Sequence, residues 1–267
     1  MTAILALAGL TKRFHRGTES ETVALRAVDL ALEPGDFVSI IGSNGAGKST
    51  LLKTVAGMIR PDAGTIRFDG RDITQEPVYR RAAVIGRIAQ DPSDSTCATM
   101  TIAENLAMAE RRGMRRGLRR AVTMAARARF AAALTPIGLG LETRLGVRVA
   151  TLSGGQRQAL ALLMATLAGA RLLLLDEHLA ALDPRTAEIV MDLTARVVAQ
   201  RALTTLMVTH KMQDAIRFGN RLIMMHAGAI ILDVRDAAKA ALTVDALIAR
   251  FREVGGELTE DRVLLAR

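Results

Sequence analysis

The chain has 267 residues, which is enough for one large domain or for a main domain with a smaller lobe. Half of the residues are apolar but only 3% are aromatic, and the single cysteine, Cys97, excludes an internal disulfide framework. The formal net charge of +9 fits nucleic acid, an anionic membrane surface or anionic substrates as partners, and equally a surface that is simply rich in arginine.

The first ten residues resemble the apolar core of a secretory signal, but Lys12 and Arg13 follow this stretch instead of preceding it. A half-buried first strand is therefore predicted. The longest uncharged stretch elsewhere, 158–170, is well short of the roughly 20 residues that a membrane span needs. We therefore expect a chain that does not cross a membrane.

The first third of the chain is predicted to be mostly strands. Alternating apolar residues over 3–40 indicate several strands, with a turn at 33–36, and 37–41 has the continuous apolar character of a buried parallel strand. A glycine-rich loop follows. It leads into a helix predicted to run to about Ile59 and to be stopped by Pro61, with a further strand at 65–68.

Residues 101–138 are helical in pattern and rich in Ala, Met and Arg, which indicates an inserted helical lobe. The predicted elements after the lobe are a helix at 153–168, a strand at 171–175, a helix at 183–200, a strand at 203–208, a short helix, strands at 222–225 and 230–233, and a helix at 243–251 capped by Thr243. This alternation predicts an α/β fold with a mainly parallel sheet.

The glycine-rich loop matches the phosphate-binding pattern G-x-x-x-x-G-K-[ST], and it lies between a strand and a helix as that pattern requires. Its residues are Gly42, Ser43, Asn44, Gly45, Ala46, Gly47, Lys48, Ser49 and Thr50. The glycines let backbone N–H groups point at phosphates, and the following helix adds its positive end. Lys48 is expected to reach the β- and γ-phosphates, and the Ser49 hydroxyl to bind Mg²⁺. The alternative is a turn that matches by chance.

Four leucines at 172–175 end in two acidic residues. A buried strand with charge at its carboxyl end is the usual way in which an open α/β sheet presents a site. Asp176 suits Mg²⁺, directly or through water, and Glu177 is placed to polarise an attacking water. The alternative is an ordinary solvated strand end.

The segment Leu152-Ser153-Gly154-Gly155-Gln156 precedes this acidic strand. With these motifs, nearly the whole chain resembles the nucleotide-binding subunit of an ATP-binding cassette (ABC) transporter. The resemblance implies a P-loop NTPase core with a mainly parallel sheet, an N-terminal antiparallel β region and an inserted helical lobe. It implies a single ATPase domain over 1–251, with a RecA-like core at 1–90 and 150–235, the lobe at about 91–149, and a C-terminal helix and tail at 236–267.

The resemblance also implies ATP and Mg²⁺ as cofactors and a second copy of the chain as partner. In this family the segment Ser153, Gly154, Gly155 and Gln156 binds the γ-phosphate held by the phosphate loop of another subunit, which gives an ATP-sandwich dimer. The residues suit that role, because a hydroxyl, two glycines that allow close approach and a helix start occur together. The alternative is a plain helix N-cap followed by glycines.

Four more positions take roles from the resemblance. Gln90 matches the loop that contacts Mg²⁺ and water and senses the transmembrane partner, and His210 matches the switch histidine that contacts the γ-phosphate. Asp183 matches the loop that communicates between the two sites, and it is also a good N-cap before Pro184. Phe14 falls where the family places a ring against adenine, with a core phenylalanine as the alternative.

Two positions depart from the common family pattern. His178 replaces the proline that usually follows the catalytic glutamate, and Ala180 replaces a common serine. Neither change removes a catalytic group, so we expect a site that can hydrolyse ATP. His178 is shared with one importer subgroup, which the runs at 102–106, 204–210 and 219–226 also resemble.

That subgroup works with a separate integral-membrane permease and an extracytoplasmic binding protein, and aromatic amino acids are suggested as cargo for some members. We therefore expect an ATPase subunit that powers small-molecule import, peripheral at the cytoplasmic face of the cell membrane. The alternative is a soluble ABC-type ATPase that acts on nucleic acid, which only the basic charge favours. Only 61 residues separate Gln90 from Leu152, without heptads or a cysteine set, so the coiled-coil and zinc insertions of DNA-acting relatives are absent. No nucleic-acid partner is expected.

Eight arginines are concentrated at 111–129: Arg111, Arg112, Arg115, Arg116, Arg119, Arg120, Arg127 and Arg129. They form either a solvated face of the helical lobe or a surface for anionic lipid headgroups or an acidic partner loop.

Overall fold

The computed structural model of the chain describes residues 3–114, 117 and 120–253. Its strands are β1 (Leu5–Phe14), β2 (Thr22–Leu32), β3 (Phe37–Gly42), β4 (Ala63–Phe68), β5 (Arg71–Asp72), β6 (Ile85–Ile88), β7 (Leu172–Asp176), β8 (Thr204–Val208), β9 (Arg221–His226) and β10 (Ala229–Arg235). Its α-helices are α1 (Lys48–Val55), α2 (Val78–Arg81), α3 (Ile102–Glu110), α4 (Met124–Leu134), α5 (Gly154–Leu167), α6 (Pro184–Gln200), α7 (Met212–Arg217), α8 (Asp236–Ala240) and α9 (Val244–Glu253).

The described residues fall into two compact units. The first unit comprises the chain up to Val78 and from Thr204 onwards, and the second unit comprises Tyr79–Leu203. The division into core, lobe and C-terminal segment predicted from the sequence stays a prediction. Within the described ranges, none of the helices combines the length and the apolar character needed to cross a membrane.

The first unit contains an antiparallel sheet in the order β2-β1-β4-β5, in which Leu5 pairs with both Leu32 and Phe68. This confirms the predicted N-terminal antiparallel region. The unit also contains β3, which pairs in parallel with β8 and with β9, while β10 is antiparallel to β9. All but the last residue of β3 are buried, as its continuous apolar sequence predicts.

A small apolar core in the same unit fixes the chain after β8. Met212, Leu222, Leu247 and Phe251 pack together in it, and α9 begins as predicted, with Ala246 N donating to the Thr243 hydroxyl at 3.2 Å. Beside this core the ammonium group of Lys239 is buried. It donates to the carbonyl oxygens of Phe218 and Gly219, and its burial lowers its pKa to about 8.

The second unit is built around β6 and β7, which pair in parallel with Ile88 opposite Leu175. Helix α5 lies close against β6. A Cβ on Gly86 would sit only 2.4 Å from the carbonyl oxygen of Ala165, so glycine is what permits this approach. Helix α3 starts with a capping box between Thr101 and Glu104, and with α4 it confirms the predicted helical lobe.

One predicted boundary is wrong. Helix α1 ends at Val55 and does not continue to about Ile59. Gly57 adopts a left-handed φ of 81°, its N–H bonds to Thr54 O, and the N–H of Met58 bonds to Lys53 O. This is a Schellman ending, so the glycine, and not Pro61, stops the helix.

Candidate functional site

The phosphate loop is shaped by three glycines with positive φ, and at two of them any other residue would clash. Gly42, Gly45 and Gly47 have φ values of 153°, 77° and 97°. A Cβ at Gly42 would be 2.2 Å from Met225 O, and one at Gly47 would be 2.2 Å from Ala24 O. The backbone of this loop is therefore held close against two neighbouring chain segments of the first unit.

Lys48, the first residue of α1, has its ammonium group turned back over the loop. Its side chain is buried, and Nζ donates to Gly42 O at 2.7 Å and to Ser43 O at 2.9 Å. Ser49 and Thr50, next along the helix, are partly buried, while Asn44 and Gly45 are exposed. A cation and a helix start thus occur at one loop, which is a site for an anion.

His210 lies at the same edge of the sheet as the phosphate loop. It follows β8, where Val208 is opposite Ile40 of β3, and the N–H of Thr209 donates to Ile40 O at 3.1 Å. The carboxyl ends of β3 and β8 therefore bring His210 and the loop that starts at Gly42 to one edge. The strand predicted before His210 is present, and the contact of His210 with a γ-phosphate stays a prediction.

Phe14 ends β1 and is only partly buried, which does not fit a core residue. The ammonium group of Lys12 is 5.5 Å from the centroid of its ring. This is a cation–π contact between Lys12 and Phe14. The ring is otherwise accessible.

In the second unit the acidic strand end has two unusual features. Asp176 is buried, and its Oδ2 lies 3.7 Å from Nη2 of Arg87 on the adjacent strand. Glu177 has a φ of 46°, a conformation that costs a non-glycine residue about 1–3 kcal/mol. A strained backbone at an acid that follows a buried strand is typical of a functional site.

His178, the departure from the common family pattern, is a buried neutral imidazole. Its exposure is 3%, and its Nε2 has no hydrogen-bond partner. Burial lowers the pKa of this group to about 4. The sequence gives no sign of this, because neighbouring residues alone do not show that the side chain points inward.

Gln90 is exposed two residues beyond β6. Because Ile88 is opposite Leu175, the residues that follow β6 and β7 lie at one edge, so Gln90 and Asp176 are brought to the same end of this pair of strands. The loop that carries Gln90 is tied down nearby, where Ala89 N donates to the Ser95 hydroxyl at 3.1 Å.

The segment 152–156 forms the start of α5. The Ser153 hydroxyl accepts from Gln156 N, and Gln156 Oε1 accepts from Ser153 N, both at 3.3 Å. This is a capping box, so the N-cap interpretation of Ser153 is correct. Ser153 and Gly154 are nevertheless exposed, so the start of α5 is accessible to an anion, as the family role requires.

The two glycines of this segment pack against the region that starts α6. A Cβ on Gly154 would be 2.9 Å from Leu182 Cδ2, and one on Gly155 would be 2.4 Å from Thr186 Cγ2. Asp183 caps α6 by accepting from Thr186 N at 3.0 Å. Hydrogen bonds from Thr186 lower the pKa of Asp183. Segment 152–156, the signature segment, and Asp183 are thus brought together, and close packing is a second reason for the glycines.

The arginine-rich stretch is not uniformly solvated. The Arg112 guanidinium is largely buried, which lowers its pKa, and Arg129 forms a double hydrogen bond to Glu110. Arg115, Arg116 and Arg119 lie outside the described residues. The sequence could not reveal the inward turn of Arg112.

Comparison with known proteins identifies the family. The model of the ABC transporter family matches residues 25–180. The chain therefore belongs to this family, as its motifs predict, and it is an ATP-binding cassette ATPase. The family fold accounts for the antiparallel region, the parallel strands and the helical lobe.

Several relatives match over most of the chain. The tyrosine transport ATP-binding protein of Clostridioides difficile is 42% identical over 248 residues, which cover 93% of this chain and 98% of that protein. The sulfate/thiosulfate import ATP-binding protein of Mycobacterium bovis is 34% identical, and the match covers 86% of this chain and 61% of that protein. Among solved structures, a dimeric post-hydrolysis ATP-binding cassette bound to ADP and Pi matches with a TM-score of 0.74 and 28% identity, over 86% of this chain and 98% of that one.

Proposed function

We propose that this chain is the ATPase subunit of an importer of aromatic amino acids, with tyrosine as the first candidate cargo. The observation that carries the proposal is the 42% identity to a tyrosine transport ATP-binding protein over 93% of the chain. Other similar proteins are named as import ATP-binding subunits for sulfate, Fe(3+) ions and phosphonates. Small-molecule import is common to all of them.

ATP would bind with its phosphates in the loop 42–50. Lys48 would contact the β- and γ-phosphates, and Phe14 would stack on adenine, an interaction worth roughly 1–3 kcal/mol per base. Mg²⁺, when bound, would neutralise charge that develops on the phosphates. Its protein ligands would be the Ser49 hydroxyl and the Asp176 carboxylate, with Gln90 contacting the ion and water.

The donors present suit this metal. Within the described parts of the chain, no group of three or more His, Cys, Asp or Glu residues could hold a metal by itself. Mg²⁺ needs no such cage, because it is usually held by one or two protein oxygens together with substrate phosphates and water. Glu177 would polarise the attacking water, and His210 would contact the γ-phosphate.

Two copies would share two ATP molecules, with Ser153, Gly154, Gly155 and Gln156 of one copy on the γ-phosphate in the other. The exposed start of α5 supports this, since a helix N-terminus can meet an anion. The similar cassette bound to ADP and Pi is dimeric. Asp183, packed beside the signature, would communicate between the two sites.

Closure of the dimer would drive a separate membrane permease, with this chain peripheral at the cytoplasmic face and an extracytoplasmic binding protein delivering the cargo. The test is to co-express the chain with a candidate permease, purify the complex, and measure ATPase activity in the presence of the candidate binding protein with tyrosine, sulfate or a phosphonate. We expect copurification and stimulation by tyrosine alone. A Glu177→Gln complex is the control for contaminating ATPases.

Two results would contradict the proposal. Stimulation by sulfate or phosphonate, without tyrosine stimulation, would overturn the cargo. ATPase stimulation by DNA or RNA without any permease, with an affinity that falls steeply with salt, would favour the nucleic-acid alternative.

A further inference from the structure

Arg87 is a charged residue in the middle of a largely buried strand, and it faces the proposed metal ligand. In the parallel pair β6–β7 it is opposite Leu174, so Asp176, two residues on, points to the same side of the sheet. The distance from Arg87 Nη2 to Asp176 Oδ2 is 3.7 Å, and the two side chains are 19% and 4% exposed.

The contact between these groups is electrostatic and loosely held. At 3.7 Å it is longer than a hydrogen bond, and it lacks the paired bonds that usually fix arginine on a carboxylate. The Nε of Arg87 is buried and has no hydrogen-bond partner. The guanidinium therefore adds positive charge beside a buried carboxylate without being fixed in place itself.

We infer that Arg87 offsets the charge of the Asp176 carboxylate when no metal is bound, a role that Mg²⁺ would take over when bound. The inference rests on the proposed role of Asp176 as a Mg²⁺ ligand. If Asp176 binds Mg²⁺ on the ATP phosphates as proposed, the charge of Arg87 would oppose the metal, and it would favour the phosphates when no metal is present. Arg87 thereby reduces the dependence of ATP binding on Mg²⁺.

Removal of Arg87 should lower stability and ATP affinity more in the absence of metal than in the presence of Mg²⁺. Without metal, Asp176 loses a positive neighbour in a buried position, so the folded chain loses stability and binds metal-free ATP less well. With Mg²⁺ bound, the ion itself supplies the charge, and the loss is offset. The ratio of the ATP dissociation constant in EDTA to that in Mg²⁺ should rise at least about fivefold, the lower end of typical coupling between two ligands.

The test uses the full chain with Glu177→Gln as background, so that ATP is not consumed. ATP affinity and thermal unfolding are measured in EDTA and in Mg²⁺ for Arg87→Gln, for the conservative Arg87→Lys and for the exposed control Arg67→Gln. We expect Arg87→Gln to raise the affinity ratio and to lower the unfolding temperature in EDTA more than with Mg²⁺ and ATP. Arg87→Lys should fall between it and the parent, and Arg67→Gln should match the parent.

An unchanged ratio, or an equal loss of unfolding temperature in both conditions, would show that Arg87 only packs, and would overturn the inference. Asp176→Asn separates this failure from that of the proposed function. If Asp176→Asn loses the Mg²⁺ dependence while Arg87→Gln keeps it unchanged, only the role of Arg87 fails. If Asp176→Asn keeps the full dependence, the metal role of Asp176 fails, and the inference fails with it.

Discussion

The proposed functional residues of the two units are built by different physical means. In the first unit the phosphate loop is a backbone structure, in which Gly42 and Gly47 meet neighbouring carbonyls at distances that no side chain allows. In the second unit the chemistry depends on side chains. These are the buried carboxylate of Asp176, the carboxylate of Glu177 on its strained backbone, and the hydroxyl of Ser153, which caps α5. Changes to the phosphate-loop glycines should therefore weaken ATP binding through shape, whereas a change of Glu177 should impair hydrolysis while ATP binding survives.

The largest expected effect is on hydrolysis. Glu177→Gln keeps the size and backbone conformation of the residue but removes the carboxylate that polarises water, so kcat should fall about 10²–10⁴-fold. ATP affinity, measured by equilibrium binding, should stay within about threefold of the parent, because the phosphate loop is untouched. Glu19→Gln, at an exposed loop position, is the control. Full activity in Glu177→Gln would remove this residue from the mechanism.

The next effect is on binding. Gly47→Ala places a Cβ 2.2 Å from Ala24 O, whereas Gly45→Ala, also at positive φ, meets nothing within 4 Å. Both variants carry the backbone cost of roughly 1–2 kcal/mol, but only Gly47→Ala must also move the loop. We expect ATP affinity to fall about 100-fold in Gly47→Ala and less than about tenfold in Gly45→Ala. Equal losses would show that shape is not the cause.

A smaller effect tests whether packing also matters in the second unit. Gly155→Ala would bring a Cβ to 2.4 Å from Thr186 Cγ2, an overpacking that costs about 1–3 kcal/mol of unfolding free energy. Thr186→Ser removes that methyl group and keeps the hydroxyl. The double variant should recover most of the loss in denaturant unfolding. If it does not, the clash is not what makes alanine unfavourable at this position.

The smallest effect is on pH dependence and concerns the first unit away from the loop. Lys239 has its pKa lowered to about 8 by burial, so between that value and its ordinary 10.5 the unfolded chain binds more protons than the folded one. Stability should therefore rise with pH in this window, by about 2 kcal/mol relative to Lys239→Met. Parallel unfolding curves for the two proteins from pH 7 to 10 would contradict this.

Local motifs predict much of this site. The phosphate loop, the caps at Ser153 and Asp183 and the strand that ends in Asp176 each depend on a few adjacent residues, so the sequence is sufficient. The sequence also indicates where α1 ends, because Gly57 is a stronger helix-termination signal than Pro61, which lies four residues later.

The features that the sequence does not reveal depend on contacts between distant segments. Arg87 meets Asp176 only through the register of β6 on β7, and the buried state of His178 and Arg112 depends on packing. The close contact that favours glycine at position 155 is made with Thr186, which lies on another helix. The side-chain chemistry of the second unit is therefore harder to predict from the sequence than the backbone structure of the phosphate loop in the first unit.

We propose that each copy supplies its signature segment to the ATP of the other copy, and mixing two variants tests this directly. Lys48→Ala should disable the phosphate loop and Ser153→Arg should block the signature, so each variant alone should be inactive. In an equal mixture about half of the dimers are mixed, and each of these has one intact composite site, so about a quarter of the parent ATPase activity should return. A mixture as inactive as its components would contradict the claim.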